Sequence, residues 1–112
     1  MFVKIQPKQE EFMKKITEIR KKIGQIRQEM MDIGDMRPGS LTVQPRSWGK
    51  NYWQLSYTHR GRGRTQYVSN ERYEEVKRQT ENYRKFKELS AELVDLSLEL
   101  AKLTDKETAL KN

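Results

Sequence analysis

Residues 48–70 combine aromatic and cationic side chains and contain no carboxylate. Lysine and arginine bind phosphate through charge, and the planar guanidinium can also stack on an aromatic ring or a base. Aromatic rings offer faces on which unpaired bases stack. The segment therefore predicts a surface that binds nucleic acid. Its aromatic residues are Trp48, Tyr52, Trp53, Tyr57 and Tyr67, and its cations are Lys50, Arg60, Arg62 and Arg64.

The acid-free region extends beyond this segment. Residues 36–69 carry six Lys/Arg and no Asp/Glu, so most of the net charge of +7 comes from the middle third of the chain. Gly61 and Gly63 would let the backbone bend and approach another surface. A purely protective surface could use Glu as readily as Arg, which favours nucleic-acid contact over a merely soluble turn. The predicted nucleic-acid-binding residues are Arg37, Arg46, Trp48, Lys50, Tyr52, His59, Arg60, Arg62 and Arg64.

Catalysis finds little support in the sequence. The chain has no cysteine, and its single histidine, His59, precedes Arg60, where a phosphate contact is a better interpretation than a general base. The stretch "GRGR" lacks the spacing and the Lys-Ser/Thr end of a phosphate-binding P-loop. We therefore expect a protein that is not an enzyme and has no metal site or cofactor.

Composition predicts a single domain over residues 1–112. Apolar residues make up 34% of the chain and charged residues 35%, with a mean hydropathy of -1.04, so the order of the apolar residues decides whether a core forms. No apolar run reaches the length of a membrane span, and the first residues lack the apolar centre of a signal peptide. A cytoplasmic protein without a small-molecule substrate is expected.

Residues 8–34 have the spacing of a coiled-coil helix. Pro7 suits the first helical turn, Gly34 would end the helix, and Gly24 interrupts it. Apolar residues recur at intervals of four and three residues, which predicts a seam against another helix. The seam residues are Phe12, Ile16, Ile19, Ile23, Ile26, Met30 and Ile33.

Residues 71–103 predict a second, longer helix, with Ser69 or Asn70 as its N-cap. Its leucines are regularly spaced from Leu89 onward, and Val94 and Leu98 widen the apolar stripe beyond what one facing helix needs. That extra width indicates self-association. Residues 104–112 are expected to fray.

Residues 40–68 predict a small three-stranded antiparallel sheet. In the middle strand Trp53, Leu55 and Tyr57 point to one side, which we assign to the core, and Leu41 with Val43 would extend that face. Tyr67 is left open because its side depends on the hairpin register. The predicted fold is α+β: two long helices form an antiparallel coiled-coil hairpin, and the sheet, with a basic tip at residues 59–63, is inserted between them. A parallel two-chain coiled coil is the alternative.

The order of short motifs resembles an uncharacterised family of short prokaryotic proteins. The motifs are MRPGSL (36–41), WGK (48–50), YWQLSY (52–57), RTQYV (64–68) and ENYRKFKEL (81–89). Members of that family commonly occur near transposase or other mobile-element genes, which implies a role on nucleic acid. The family's cysteines around the Gly-Lys element are absent here, so no metal or redox role is carried over. The hairpin and following helix also resemble the DNA-binding domain of phage-type integrases.

The sequence thus predicts a nucleic-acid-binding accessory protein of a mobile element or phage, with DNA favoured over RNA and with a homodimer formed through the helices. The alternative is a protein-interaction module or inhibitor, in which the helical seam engages a partner and the basic hairpin docks on an acidic protein surface. No membrane partner is expected.

Overall fold

The computed structural model describes residues 6–45 and 51–111. It confirms the α+β class, with two helices that pack on each other and a three-stranded antiparallel sheet between them in the chain. The part of the chain that the structure describes contains no helix that is both long enough and apolar enough to cross a membrane. The elements are α1 (Pro7–Met31), β1 (Ser40–Pro45), β2 (Asn51–His59), β3 (Arg62–Val68) and α2 (Asn70–Lys111).

The chain divides into two compact units where the sequence predicts one domain. Unit 1 consists of α1 and the part of α2 that begins at Glu88, and unit 2 spans Ile33–Lys87. The division follows the sequence pattern, since the regular leucine spacing of α2 begins at Leu89. The first half of α2 instead packs on the sheet.

Unit 1 is an antiparallel helix pair. Ile19, Ile23 and Ile26 of α1 are buried, as is Leu89 of α2. Residues early in α1 share surface clefts with residues late in α2, such as Met13 with Thr104, whereas the later Ile23 lies near Leu100. The seven-residue repeat therefore forms the coiled-coil seam that it predicts.

Both helices end elsewhere than predicted. Helix α1 ends at Met31 instead of residue 34, and the chain that follows is hydrogen-bonded to α2 at Arg37. Helix α2 ends at Lys111 instead of residue 103, so residues 104–111, which were expected to fray, are helical. Thr104 and the buried Glu107 line a cleft together with Met13 and Ile16 of α1, so one side of the last turns faces α1. Asn112 lies outside the described residues.

Unit 2 is built on the sheet, whose strand order is β1-β2-β3. Leu55 is fully buried with Val68 of β3 and Val76 of α2, and Leu41, Trp53 and Tyr57 pack against this cluster. The ring of Trp53 stacks on Tyr73 of α2 with 4.0 Å between centroids. The predicted inner face is therefore correct, except that Val43 is 44% exposed although it pairs with Trp53, because β1 is an edge strand.

The tip of the hairpin is tighter than predicted. Arg60 and Gly61 both have positive φ, of 52° and 77°, as a two-residue type I′ turn requires. His59 and Arg62 still pair across the two strands, and Gly63 lies in β3 opposite Thr58. The predicted loop over 59–63 is thus reduced to two residues, and His59 belongs to a strand.

Candidate nucleic-acid interface

The segment between α1 and β1 is held against α2 by two hydrogen bonds. The Arg37 backbone N–H donates to the Gln79 carbonyl at 3.0 Å, and the Asn82 side-chain amide donates to the Asp35 carbonyl at 2.9 Å. Gly39 then passes so close to β2 that an added Cβ would lie 2.7 Å from the Ser56 carbonyl oxygen. These contacts place Arg37, which is half-buried, beside the inner face of the sheet.

A cleft of about 520 Å³ lies between the sheet and α2, and we call it the sheet–helix cleft. Its three cations are Arg64 of β3 with Arg84 and Lys87 of α2. Hydroxyl groups from both the sheet and the helix surround them, and no Asp or Glu is among the described residues that line the cleft. Its lining residues are Gly39, Ser40, Ser56, Tyr57, Thr58, Gly63, Arg64, Thr65, Thr80, Tyr83, Arg84 and Lys87.

A second cleft, of about 490 Å³, shares Tyr57 with the first, and we call it the Arg37 cleft. Arg37 and Arg72 contribute its cations, and His59 lies beside them. Pro38, Tyr57 and Gln66 complete the described lining, which again includes no carboxylate. Tyr57 thus lies between two acid-free clefts, and its hydroxyl oxygen is 3.5 Å from the Gln66 side-chain nitrogen.

Strand register explains why Arg64 of β3 lies in the sheet–helix cleft and Arg62 lies on the same face. Arg64 pairs with Tyr57, and Arg62 pairs with His59. Residues directly opposite each other in an antiparallel pair share a face, so these four residues continue the face that carries Leu55. Farther along the hairpin the apolar contacts end, and the same face becomes cationic.

The arginines near the tip are available to a partner. Arg60, Arg62 and Arg64 are exposed, and within the described ranges no carboxylate pairs with any of them. An ion pair elsewhere in the described residues joins Lys15 and Glu11 on α1, with 3.4 Å between Nζ and Oε1. Guanidinium groups without internal partners can meet phosphate without first breaking an ion pair.

The outer face of the sheet carries a separate aromatic pair. The rings of Tyr52 and Tyr67 are 5.7 Å apart and tilted by 36°. Tyr67, which the sequence left open, is 66% exposed, whereas Tyr52 is half-buried. The predicted site residues Arg46, Trp48 and Lys50 lie outside the described residues.

The clefts include cations that the sequence prediction did not select. Arg72, Arg84 and Lys87 all belong to α2, where their spacing resembles that of any solvated helix surface. A usable indication was the motif at residues 81–89, which contains Arg84 and Lys87 next to the aromatic Tyr83. Lys87 Nζ lies 5.8 Å from the centroid of that ring.

The described residues contain no group of three or more His, Asp or Glu side chains that could hold a metal ion. Comparison of the chain with protein-family models, with curated proteins and with solved structures finds no match. The family resemblance of residues 36–103 therefore stays a prediction.

Proposed function

We propose that this protein is a non-enzymatic nucleic-acid-binding protein that contacts phosphates through unit 2. The observation that carries the proposal is the pair of acid-free clefts on either side of Tyr57. Together they present five Lys/Arg side chains, with hydroxyl groups between them that can donate to phosphate oxygens. The five are Arg37, Arg64, Arg72, Arg84 and Lys87.

Double-stranded DNA is the partner that the hairpin favours. A two-stranded β-ribbon fits the major groove of B-form DNA, whereas the major groove of A-form RNA is too deep and narrow for side chains to read. Arg60 and Arg62 at the tip would extend the phosphate contacts made in the clefts. The exposed ring of Tyr67 supplies a stacking face, which would serve an unpaired base better than a duplex.

The proposed biological setting rests on the resemblance of residues 36–103. The resemblance supports an accessory role in a mobile element or phage, and a protein in that role would work in the cytoplasm with its nucleic acid. An acidic protein surface is the alternative occupant of the clefts, and the binding experiment below distinguishes the two.

A salt titration of duplex DNA binding tests the proposal. Seven phosphate contacts, five in the clefts and two at the tip, predict a slope of about −6 in a plot of log K against log salt concentration. The variant Arg64→Gln/Arg84→Gln should lower the slope by about 2 and weaken binding about 60-fold at about 0.1 M salt, because each contact contributes about eightfold there. Fluorescence anisotropy with a labelled duplex gives both quantities.

A matched control variant removes two positive charges from unit 1 instead of unit 2. Arg20→Gln/Arg27→Gln alters two exposed arginines that line a cleft in the helix pair. It should change binding less than threefold, roughly what loss of non-specific attraction alone causes. Equal losses in the two double variants, or a slope near zero for the unaltered protein, would refute the proposal.

Competitors identify the partner class. Duplex DNA should displace the labelled probe at lower concentration than single-stranded DNA, duplex RNA or polyglutamate of equal charge. A polyglutamate chain that competes as well as DNA would support the acidic protein partner instead.

A further inference from the structure

Helix α2 carries a second apolar stripe that α1 does not cover. The first stripe begins at the buried Leu89 and continues through half-buried leucines toward α1. The second follows the same alternation of three- and four-residue intervals, and every member of it is exposed. Val94 is 56% exposed and Leu98 is 60% exposed. Its members are Ala91, Val94, Leu98 and Ala101.

We propose that a second copy of this chain packs on the second stripe, α2 against α2 in antiparallel orientation. A seven-residue repeat of apolar side chains keeps facing a partner helix over several turns. The two alanines next to the larger Val94 and Leu98 allow the helix backbones to approach closely. From Ala91 to Ala101 every position of this repeat is apolar and exposed, whereas a fully solvated helix face would carry polar residues there.

Charges beside the stripe select the antiparallel register. When Leu98 of one copy packs on Val94 of the other, Ala91 meets Ala101, and the two-fold axis repeats both contacts. The flanking residues Glu88 and Lys102 then lie opposite each other across the interface, again twice. Opposite charges at such flanking positions determine partner orientation in coiled coils.

The same register places one residue opposite the identical residue of the second copy. Asp95 lies in the same flanking row as Glu88 and Lys102, and the two-fold axis places it opposite Asp95 of the second copy. This like-charge pair weakens the dimer. In this alignment the two Asp95 carboxylates meet near the two-fold axis, so the effect of a substitution at Asp95 on the dimer tests the register.

A parallel arrangement lacks these advantages. It would place Asp105 against Asp105 at the next position of the same repeat, directly after the apolar seam. Its flanking contacts would join Ser90 to Asp95 and Ser97 to Lys102, so no pair of opposite charges would form. The charge pattern therefore favours the antiparallel dimer.

Sedimentation equilibrium of the full chain tests the dimer. The unaltered protein should show a dimer that dissociates on dilution, and Val94→Glu/Leu98→Glu should be monomeric at every concentration. Both positions are exposed, so the double variant should keep its circular dichroism spectrum. A monomeric unaltered protein, or a dimer that persists in the double variant, would overturn the proposal.

Charge reversal tests the register. Glu88→Lys replaces two attractive pairs by two repulsive ones and should weaken the dimer about tenfold, given the small energy of exposed ion pairs. The compensating variant Glu88→Lys/Lys102→Glu should restore the dimer to within about threefold. Asp95→Asn should tighten it. If the compensating variant is as weak as Glu88→Lys, the antiparallel register is wrong.

Discussion

Arg60 occupies a backbone conformation that its side chain does not favour. Its φ of 52° lies in the left-handed region, where Gly, Asn and Asp are the usual residues of a type I′ turn. A non-glycine residue held there costs on the order of 1 kcal/mol. An arginine at this position, exposed and without an internal carboxylate among the described residues, reduces stability and presents a cation at the foremost point of the hairpin.

Arg60→Asn should therefore change stability and binding in opposite directions. Asparagine tolerates positive φ, so the free energy of unfolding should rise by about 0.5–1 kcal/mol. Removal of one phosphate contact should weaken duplex DNA binding about eightfold at about 0.1 M salt. Urea unfolding and fluorescence anisotropy measure the two effects.

Arg62→Asn is the matched control, because Arg62 carries the same charge in an ordinary strand position. It should weaken binding by a similar factor without raising stability. If Arg60→Asn left binding unchanged, the tip would not belong to the interface.

At the scale of elements, patterns that depend on one strand or helix were predictable from the sequence. Alternation along β2 placed Leu55 in the core, and the seven-residue repeat of α1 placed Ile19, Ile23 and Ile26 in the seam, because these periods are local properties of the chain. The contributions of α2 to the clefts were not predictable in this way. Which of its surface cations face the sheet depends on how the helix docks, and no local period encodes that.

Gly24 offers a test of the helix pair. A Cβ at this position would have no atom within 4 Å, so the glycine is not needed for close helix packing. Gly24→Ala should raise the free energy of unfolding by about 1 kcal/mol, since alanine favours the helix by that amount. The melting temperature should rise by about 5 °C.

Gly39→Ala is the contrasting substitution. With a φ of 123° and the Ser56 carbonyl oxygen 2.7 Å from the added Cβ, alanine cannot fit without moving β2 or the segment before β1. Thermal unfolding should show that the free energy of unfolding falls by more than about 1 kcal/mol.

If Gly24→Ala instead destabilised the protein, the two helices would approach each other more closely at Gly24 than the structure shows.

For the molecule as a whole, the two units differ in charge as well as in architecture. Unit 2 carries twelve Lys/Arg and five Asp/Glu, whereas unit 1 carries eleven of each. The net charge of +7 therefore belongs entirely to unit 2. The sequence located most of this excess in residues 36–69. It could not show that Arg72, Arg84 and Lys87 add to it, because their neighbours in sequence include several glutamates.

Salt should consequently act on stability and on binding in opposite senses. Like charges concentrated in unit 2 repel one another, and the Debye length falls from about 10 Å at 0.1 M to about 3 Å at 1 M salt. Sodium chloride should thus raise the free energy of unfolding while it weakens DNA binding along the slope given above. Urea unfolding at several salt concentrations measures the first effect, and anisotropy at the same concentrations measures the second.

The charge-reducing variant supplies the control for this argument. Arg64→Gln/Arg84→Gln lowers the charge of unit 2 by two, so its stability should depend less on salt than that of the unaltered protein. Arg20→Gln/Arg27→Gln makes unit 1 negative and leaves the repulsion within unit 2 intact, so the salt dependence of stability should remain. If salt instead destabilised the unaltered protein, the cations of unit 2 would be held by attractive pairs, and they would not be free to receive phosphate.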